Sequence, residues 1–323
     1  MTDKYILPLE DLIYIKNSLK YEINNLKKKS ILITGATGLF GKWLLIFILY
    51  LNYEYNYKLK IFLIIRKTKK NLNFLKKIKK KFKTNIIILT LENYRFYKFK
   101  KKIDYFFHFA TFSKNTNNWY EKHFDLSILE LKKLLDFFSK KINYFIYSSS
   151  GAANFLITDN RQKDFYAECK RMSEQLLKFY SKKFKFELRI ARCYSFVGKF
   201  LNKKFYAIGN FLEAVKRKRP IILNTTGESK RSYLYMSDLI ICFIKLIFLG
   251  KKDYIYNFGS DQKIKIVDCA KKIVLLSNSK IKIKINKKDK SKFDYVPCLK
   301  ITKKHLKIKN FLSFEKIIKK ILK

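Results

Sequence analysis

Three of the chain's nine glycines fall within seven residues, in Ile31-Leu32-Ile33-Thr34-Gly35-Ala36-Thr37-Gly38-Leu39-Phe40-Gly41. A short apolar run leads into them and a long apolar stretch, Gly41 to Leu51, leads away, so they close a predicted strand and open a predicted helix. Such a junction makes three demands on the backbone: one glycine for the tight turn, one so that the main chain can approach a pyrophosphate, and one where helix packs closely on strand. The helix N-terminus adds unpaired N–H groups and the positive end of a dipole. In that setting Gly35, Thr37, Gly38, Leu39, Phe40 and Gly41 predict a dinucleotide-binding loop rather than a mere tight turn.

The rest of the pattern agrees. Apolar runs at Ser30 to Thr34, Lys60 to Ile65, Asn85 to Leu89, Ile103 to Phe109, Ile142 to Tyr147 and Phe186 to Ala191 read as buried strands. Long amphipathic stretches lie between several of them, at Gly41 to Leu51, Leu72 to Phe82, Trp119 to Ser139 and Phe165 to Lys183. Strand and helix alternating in this way predict an α/β fold, a Rossmann-like, doubly wound parallel sheet with helices on both faces. Past Cys193 the alternation becomes irregular, with a turn at Asn224 to Glu228, a helix from Asp238 to Leu249 and a strand at Lys280 to Ile285. That predicts a smaller, mixed α/β substrate-binding region over 194–323, after a nucleotide-binding domain over 30–193. Residues 1–29 read as a helical extension, with Leu9, Leu12, Ile13, Ile15 and Leu19 at roughly helical spacing.

Composition narrows the function classes. With 48% hydrophobic and 17% aromatic residues, the 323-residue chain is too apolar for extensive disorder. The net charge of +47 would ordinarily suggest a nucleic-acid or anionic-membrane partner. Here lysine runs from Lys4 to Lys323 with no separate basic domain, and Ile, Asn, Phe and Tyr are inflated with it, the joint bias of an AT-rich genome. No specific nucleic-acid partner is therefore expected, although the charge favours anionic substrates. Five scattered cysteines without a CxxC pair argue against a disulfide framework and fit a reducing compartment. The N-terminus lacks the pattern of a secretory signal. The longest apolar runs, Trp43 to Leu51 and Leu239 to Leu249, fall short of the ~20 residues that span a bilayer. The expectation is a cytoplasmic protein with no membrane span and no metal site.

Further along, Tyr166-Ala167-Glu168-Cys169-Lys170 sets a tyrosine and a lysine four apart, on one face of a helix. It follows a strand ending in Ser148-Ser149-Ser150. A phenol with a pKa of about 10 is a poor base at neutral pH, and an adjacent ammonium stabilises its phenolate. At the end of the second strand stands Arg66, followed by Lys67, where an acidic residue would accept the ribose hydroxyls of NAD. A guanidinium can instead stack on adenine or pair with a 2′-phosphate, which tilts the cofactor expectation from NAD toward NADP.

Together the GxxGxxG loop, the Ser150 strand end and the YxxxK pair resemble the extended class of the short-chain dehydrogenase/reductase superfamily, in its nucleotide-sugar-modifying NAD-dependent epimerase/dehydratase family. The resemblance continues through Asp104-Tyr105-Phe106-Phe107-His108-Phe109-Ala110, the DxxxHxA strand. It implies that Asp104 supports the adenine side, that the chain passes the cofactor at Ala110, and that His108 is structural. Arg189 to Gly198 resembles the stretch leading into the substrate domain. Gly227 with Arg231 to Asp238 resembles a segment whose arginine grips the substrate diphosphate, which makes Arg231 the substrate residue, while Asp238 reads as a helix N-cap. Tyr256-Asn257-Phe258-Gly259-Ser260 resembles a strand that returns to the main sheet, near 254–258. By the same resemblance Ser150, Tyr166 and Lys170 form the catalytic set. Tyr166 exchanges a proton with the sugar oxygen, Ser150 hydrogen-bonds that oxygen, and Tyr166 and Lys170 are also cofactor-binding, Lys170 holding the nicotinamide ribose.

Three departures are informative. Ser195 stands where many relatives have an asparagine, and Ser232 replaces the aspartate of an Arg-Asp pair. Gly151-Ala152 replaces the Asp-Glu with which 4,6-dehydratases eliminate water, which disfavours that reaction. The implied activity is an NAD(P)-dependent nucleotide-sugar epimerase, an isomerase working at sugar C4 through a 4-keto intermediate. The alternatives are a reductase of a nucleotide-linked 4-keto-6-deoxy sugar, a dehydratase, or a cofactor-binding scaffold without catalysis. The resemblance further implies a homodimer built on the stretches 119–139 and 165–183, and products that feed surface polysaccharide synthesis.

Overall fold

The structure is a computed structural model and describes residues 5–19, 21–84, 86–90, 102–111, 118–155, 161–203, 206–286 and 292–322. Asn85, where the third strand was expected to begin, and residues 156–160 of the loop between Ser150 and Tyr166 lie outside the described residues. The chain divides into two units, Met1–Arg192 with Ile240–Tyr256, and Cys193–Leu239 with Asn257–Lys323.

The first unit opens with α1 (Leu9–Ser18) and a short 3-10 turn, Glu22–Leu26. The alternating core follows as β1 (Ser30–Thr34), α2 (Leu39–Tyr55), β2 (Lys60–Ile65), α3 (Lys69–Phe82), β3 (Ile87–Thr90) and β4 (Ile103–His108). Next come α4 (Trp119–Phe124), a π turn at Asp125–Leu129, α5 (Glu130–Phe138), β5 (Ile142–Ser150), α6 (Arg161–Phe184) and β6 (Glu187–Cys193). In the second unit are β7 (Ser195–Val197), α7 (Ala207–Lys216), β8 (Ile221–Leu223) and β9 (Lys230–Tyr235). The helix α8 (Met236–Leu249) and strand β10 (Ile255–Phe258) carry the chain between units, and β11 (Lys263–Lys265), α9 (Ile266–Leu276), β12 (Ile283–Ile285), α10 (Lys300–Leu306) and α11 (Phe314–Leu322) complete it.

The main sheet has seven strands in the order β10-β6-β5-β4-β1-β2-β3. The registers from β3 through β5 are parallel, with Thr34 opposite both Ile64 and His108. The chain thus winds outward from β1 in one direction, then returns and winds outward in the other, the arrangement that leaves a crevice at the carboxyl ends of the central strands. β1 is buried along its whole length, which is why it reads as an unbroken apolar run rather than an alternating one. On one face Phe106, Phe145 and Ile190 pack with Leu131, Leu135 and Phe138 of α5 and Leu177 of α6. On the other, Tyr105 meets Phe248 and Phe109 meets Phe243, both from α8.

Helix α2 is buried from Trp43 through Leu51 without a break. A helix apolar on every side needs cover on every side, and the N-terminal segment supplies part of it. Tyr5 stacks edge-on against Tyr50 at 5.5 Å and donates a hydrogen bond to Glu54 at 2.5 Å. Leu12, Ile15 and Leu19 are buried, whereas Leu9 and Ile13, expected on the same face, are about 40% exposed. Glu22 pairs at 2.9 Å with Lys245 of α8, both side chains largely buried. Removing one partner of such a pair strands the other charge, so Glu22→Ala is expected to cost about 3 kcal/mol. A Glu22→Ala, Lys245→Met double variant should recover most of that loss. Urea titrations of the single and double variants check both statements.

In the second unit β9 is the centre of a three-stranded sheet, parallel to β7 and antiparallel to β11, and β8 pairs with β12 in parallel.

Two further sequence expectations change. Asp104 sits at the start of β4, where its carboxylate accepts the backbone N–H and hydroxyl of Ser30, both at 2.8 Å. That is the opposite end of the strands from the glycine loop, roughly 15 Å away at about 3.3 Å per residue. Its work is to tie β4 to the start of β1, not to support adenine. Asp238 lies inside the first turn of α8 rather than ahead of it, and its carboxylate accepts the backbone N–H of Leu312 at 3.0 Å. It anchors a C-terminal segment instead of capping a helix.

Candidate functional site

At the carboxyl end of β1 the chain turns through Gly35 at φ +68°, and the N–H of Gly38 donates to the carbonyl of Gly35 at 2.9 Å. A Cβ on Gly35 would stand 2.6 Å from the carbonyl carbon of Phe109, and one on Gly41 would stand 2.2 Å from the oxygen of Gly35. Those two glycines let β4 and the first turn of α2 close on the loop. Gly38 differs: it is exposed, and the nearest atom to a Cβ there is the oxygen of Gly35 at 3.2 Å. The 17-residue α2 starts immediately after it, and Gly38 at the N-cap has no side chain with which to cap the helix end. A bare helix end beside a glycine with open space in front fits the pyrophosphate of a dinucleotide. Thr37, Leu39 and Phe40 are half-buried around it, with Phe40 braced edge-on against Phe109 at 6.0 Å.

Thr34 staples the neighbouring strand ends. Its carbonyl accepts the N–H of Phe109 at 3.2 Å, and its hydroxyl accepts the N–H of Ala110 at 3.4 Å and bonds His108 Nδ1 at 2.9 Å. Ala110 is thereby held against the glycine loop. His108 is fully buried and stacks on Tyr147 at 5.8 Å. Burial first, and the charge of Lys170 second, push its pKa down to about 3, so it is a neutral packing and hydrogen-bonding residue. Arg66 follows β2; its side chain is exposed and the guanidinium makes no hydrogen bond or ion pair to a described residue, while its carbonyl accepts the Thr68 N–H and the Asn71 side chain, both at 2.9 Å.

The serines ending β5 do three different jobs. Ser148 donates to the carbonyl of His108 at 3.2 Å, Ser149 donates to Glu174 at 2.5 Å, and Ser150 accepts the N–H of Ala152 at 3.2 Å. The last bond caps a 3-10 turn, Gly151–Asn154, whose first two residues carry no ionisable group. From the helix side, Lys170 is 3% exposed and donates to the hydroxyl of Tyr147 at 3.3 Å and to the carbonyl of Ser148 at 3.2 Å. Its ammonium lies 5.9 Å from the ring centre of Tyr166, one turn earlier on α6, and Tyr166 is half-buried. The structure therefore gathers Tyr166, Lys170 and the end of β5 in one place, inside the first unit.

One more turn along α6, Glu174 receives Arg192 in a two-pronged pair at 2.9 and 2.6 Å, and Arg192 also bonds the side chain of Asn154. Arg171 donates to the carbonyls of Ala153 and Phe155 at 3.2 and 2.7 Å. These bonds fasten the turn after Ser150 to α6 and β6, and so fix the backbone that carries Ser150. Tyr147, Glu174 and Arg192 were not singled out from the sequence. Glu174 was within reach, since it continues the four-residue spacing of Tyr166 and Lys170.

Arg231 belongs to the second unit. Its Nη1 donates to the carbonyls of Lys230 and Phe293 at 2.8 and 2.5 Å, and its guanidinium lies 5.9 Å from the rings of Phe293 and Tyr295. Ser232, next to it, is fully buried, and its hydroxyl has no hydrogen-bond partner among the described residues. Among the described residues no cluster of His, Cys, Asp or Glu could hold a metal, and no helix is long and apolar enough to cross a membrane.

Comparison with known proteins adds four findings. The model of the NAD dependent epimerase/dehydratase family matches residues 31–259. A dTDP-D-glucose 4,6-dehydratase of Dictyostelium discoideum is 29% identical over 277 residues, 77% of this chain and 62% of that protein. A dTDP-4-dehydro-6-deoxyglucose reductase of Escherichia coli is 34% identical over 127 residues, 38% of this chain and 37% of that one. The chain thus aligns with less than two thirds of either relative's length. In fold, a variant of the UDP-glucuronic acid 4-epimerase of Bacillus cereus, solved with a fluorinated UDP-sugar and NAD, superposes with a TM-score of 0.75 at 16% identity, over 90% of this chain and 96% of that one.

Proposed function

This chain belongs to the NAD dependent epimerase/dehydratase family, and from that premise we propose that it is an NAD(P)-dependent epimerase acting at C4 of a nucleotide-linked sugar. The observation that carries the reading is the buried ammonium of Lys170 beside Tyr166 on one face of α6, both at the end of the strand that finishes in Ser150. Gly35, Gly38 and Gly41 with the first turn of α2 would hold the diphosphate of the cofactor, Ala110 would line its path, and Lys170 would hold its nicotinamide ribose. When bound, the cofactor supplies a reversible hydride acceptor.

The chain's own residues then handle the proton. Tyr166, with a positive charge beside it, withdraws the proton of the sugar 4-hydroxyl as C4 becomes a ketone, and gives it back when the opposite face is reduced. Ser150 donates a hydrogen bond to the same oxygen and steadies it in both forms. Arg231 is assigned to the substrate diphosphate. Gly151 and Ala152 offer neither an acid nor a base, which weighs against elimination of water even though the Dictyostelium relative is a dehydratase.

The 34% identity with the Escherichia coli reductase supports a second reading, hydride delivery to a 4-keto-6-deoxy sugar with the same residues. The exposed guanidinium of Arg66 supports NADP over NAD in either case, while the Bacillus cereus epimerase was solved with NAD. A homodimer and a cytoplasmic location remain part of this reading.

The test is to incubate the protein and cofactor with UDP-, GDP-, CDP- and dTDP-linked hexoses and their 4-keto-6-deoxy derivatives, reading products by NMR. An epimer formed with no net change in NAD(P)H supports the first reading. Stoichiometric NAD(P)H consumption supports the second, and loss of water from a hexose contradicts both.

A further inference from the structure

Resting on the reading of Tyr166 as the proton-transferring group, we propose that His123 is a positioning residue that fixes the orientation of the Tyr166 phenol. His123 is fully buried in the last turn of α4, and its ring meets that of Tyr166 edge to face, 5.0 Å between centres at 89°. Trp119 packs against the same imidazole at 4.9 Å, and Tyr120 braces Phe165 at 5.0 Å. Three aromatic residues of α4 therefore form a wall against Phe165 and Tyr166 of α6.

Two features make this wall rigid. The imidazole cannot spin, because Nδ1 is hydrogen-bonded at 3.1 Å to the hydroxyl of Ser127, four residues on. Ser127 lies within the π turn Asp125–Leu129, and its carbonyl accepts the hydroxyl of Ser173 of α6 at 3.0 Å. The widened turn thus clamps α4 to the helix that bears Tyr166, and π turns inside helices recur at functional sites. The other ring nitrogen, Nε2, is buried with no hydrogen-bond partner among the described residues. An unpaired buried nitrogen costs about 1–3 kcal/mol, a cost that an ordinary core position avoids by carrying a phenylalanine or leucine. What the histidine adds at this position is the anchored ring.

Lys170 brings a positive charge near the Tyr166 ring, and His123 adds none near neutral pH. Burial, and after it the charge of Lys170, push His123 down to about 4, so the imidazole is neutral near pH 7. From α6 the phenol's ring has Lys170 near it, whose ammonium is shared with Tyr147 of β5; from α4 it meets the neutral ring of His123.

The experiment uses full-length protein carrying ¹³Cζ-tyrosine, with the Tyr166 resonance assigned by its disappearance in Tyr166→Phe, together with steady-state kinetics on the fastest sugar nucleotide from the panel. In His123→Leu the Tyr166 resonance should move and its alkaline titration midpoint should shift by about half a pH unit or more. In the same variant kcat should fall about tenfold while KM stays within about twofold. His123→Phe, which restores the ring but not its bond to Ser127, should recover part of both effects, with both variants melting within about 3 °C of the parent. A Tyr166 resonance and kcat unchanged in His123→Leu would overturn the proposal. So would a loss that His123→Phe does not rescue, or one that follows the melting temperature. If Tyr166→Phe itself keeps full turnover, the catalytic reading of Tyr166 fails instead, and the resonance still decides whether His123 sets that ring.

Discussion

Tyr166→Phe is expected to lower kcat by about 10³-fold, within the ~10²–10⁴ that a positioned proton-transfer group contributes. The substitution removes one oxygen and keeps the ring, so the contacts of the phenol with His123 and Lys170 survive. Melting temperature and affinity for NAD(P) should therefore stay near those of the parent, and the loss should fall on kcat rather than KM. Turnover of the best sugar nucleotide, measured beside cofactor binding by fluorescence, separates these quantities. A variant that binds cofactor normally and still turns over at the parental rate would remove Tyr166 from the chemistry.

The second large effect separates two glycines that look alike in sequence. At Gly41 an added Cβ would stand 2.2 Å from the oxygen of Gly35 and 2.5 Å from the Cα of Ala36, both backbone atoms that cannot move aside without opening the loop. Gly41→Ala is expected to cost about 3 kcal/mol or more and to abolish dinucleotide binding along with the packing of α2 on β1. Gly38 has φ −81° and ψ −176°, angles open to any residue, and a Cβ there meets only one carbonyl oxygen, at 3.2 Å. Gly38→Ala should fold with a melting temperature within about 3 °C of the parent. It should nonetheless lose about tenfold or more in NAD(P) affinity, because the methyl occupies the space left for the pyrophosphate. Thermal melts and cofactor titrations on both variants check the contrast. Equal behaviour of the two would contradict the assignment of separate roles.

What could be read in advance followed from how local each signal is. The parallel sheet and its glycine turn are written in contiguous residues, since a buried strand is an apolar run and the loop's needs fall within seven positions. The Tyr166 and Lys170 pair is encoded by helical spacing alone. Glu174 and Arg192, by contrast, are 18 residues apart and meet only because β6 returns beside α6, and an arginine in a chain with 72 basic residues carries no mark of its partner. Asp104 was misplaced although its position was legible: it stands at the start of its strand, and in a parallel sheet the crevice lies at the carboxyl ends. The cover over α2 had a signal that went unused. A helix apolar on every side implies a second packing layer, and the segment around Tyr5 supplies part of one. His123 was invisible for want of a pattern, because its contact with Tyr166 joins two helices across the π turn.

The most direct test is a crystal structure of the chain soaked with NAD(P) and UDP. The diphosphate of the dinucleotide should rest on Gly35 to Gly41, with Lys170 Nζ in hydrogen-bond range of the nicotinamide ribose and the hydroxyl of Tyr166 beside the nicotinamide ring. A dinucleotide bound elsewhere, or bound at the loop with Tyr166 and Lys170 turned away from its nicotinamide end, would contradict the proposed chemistry.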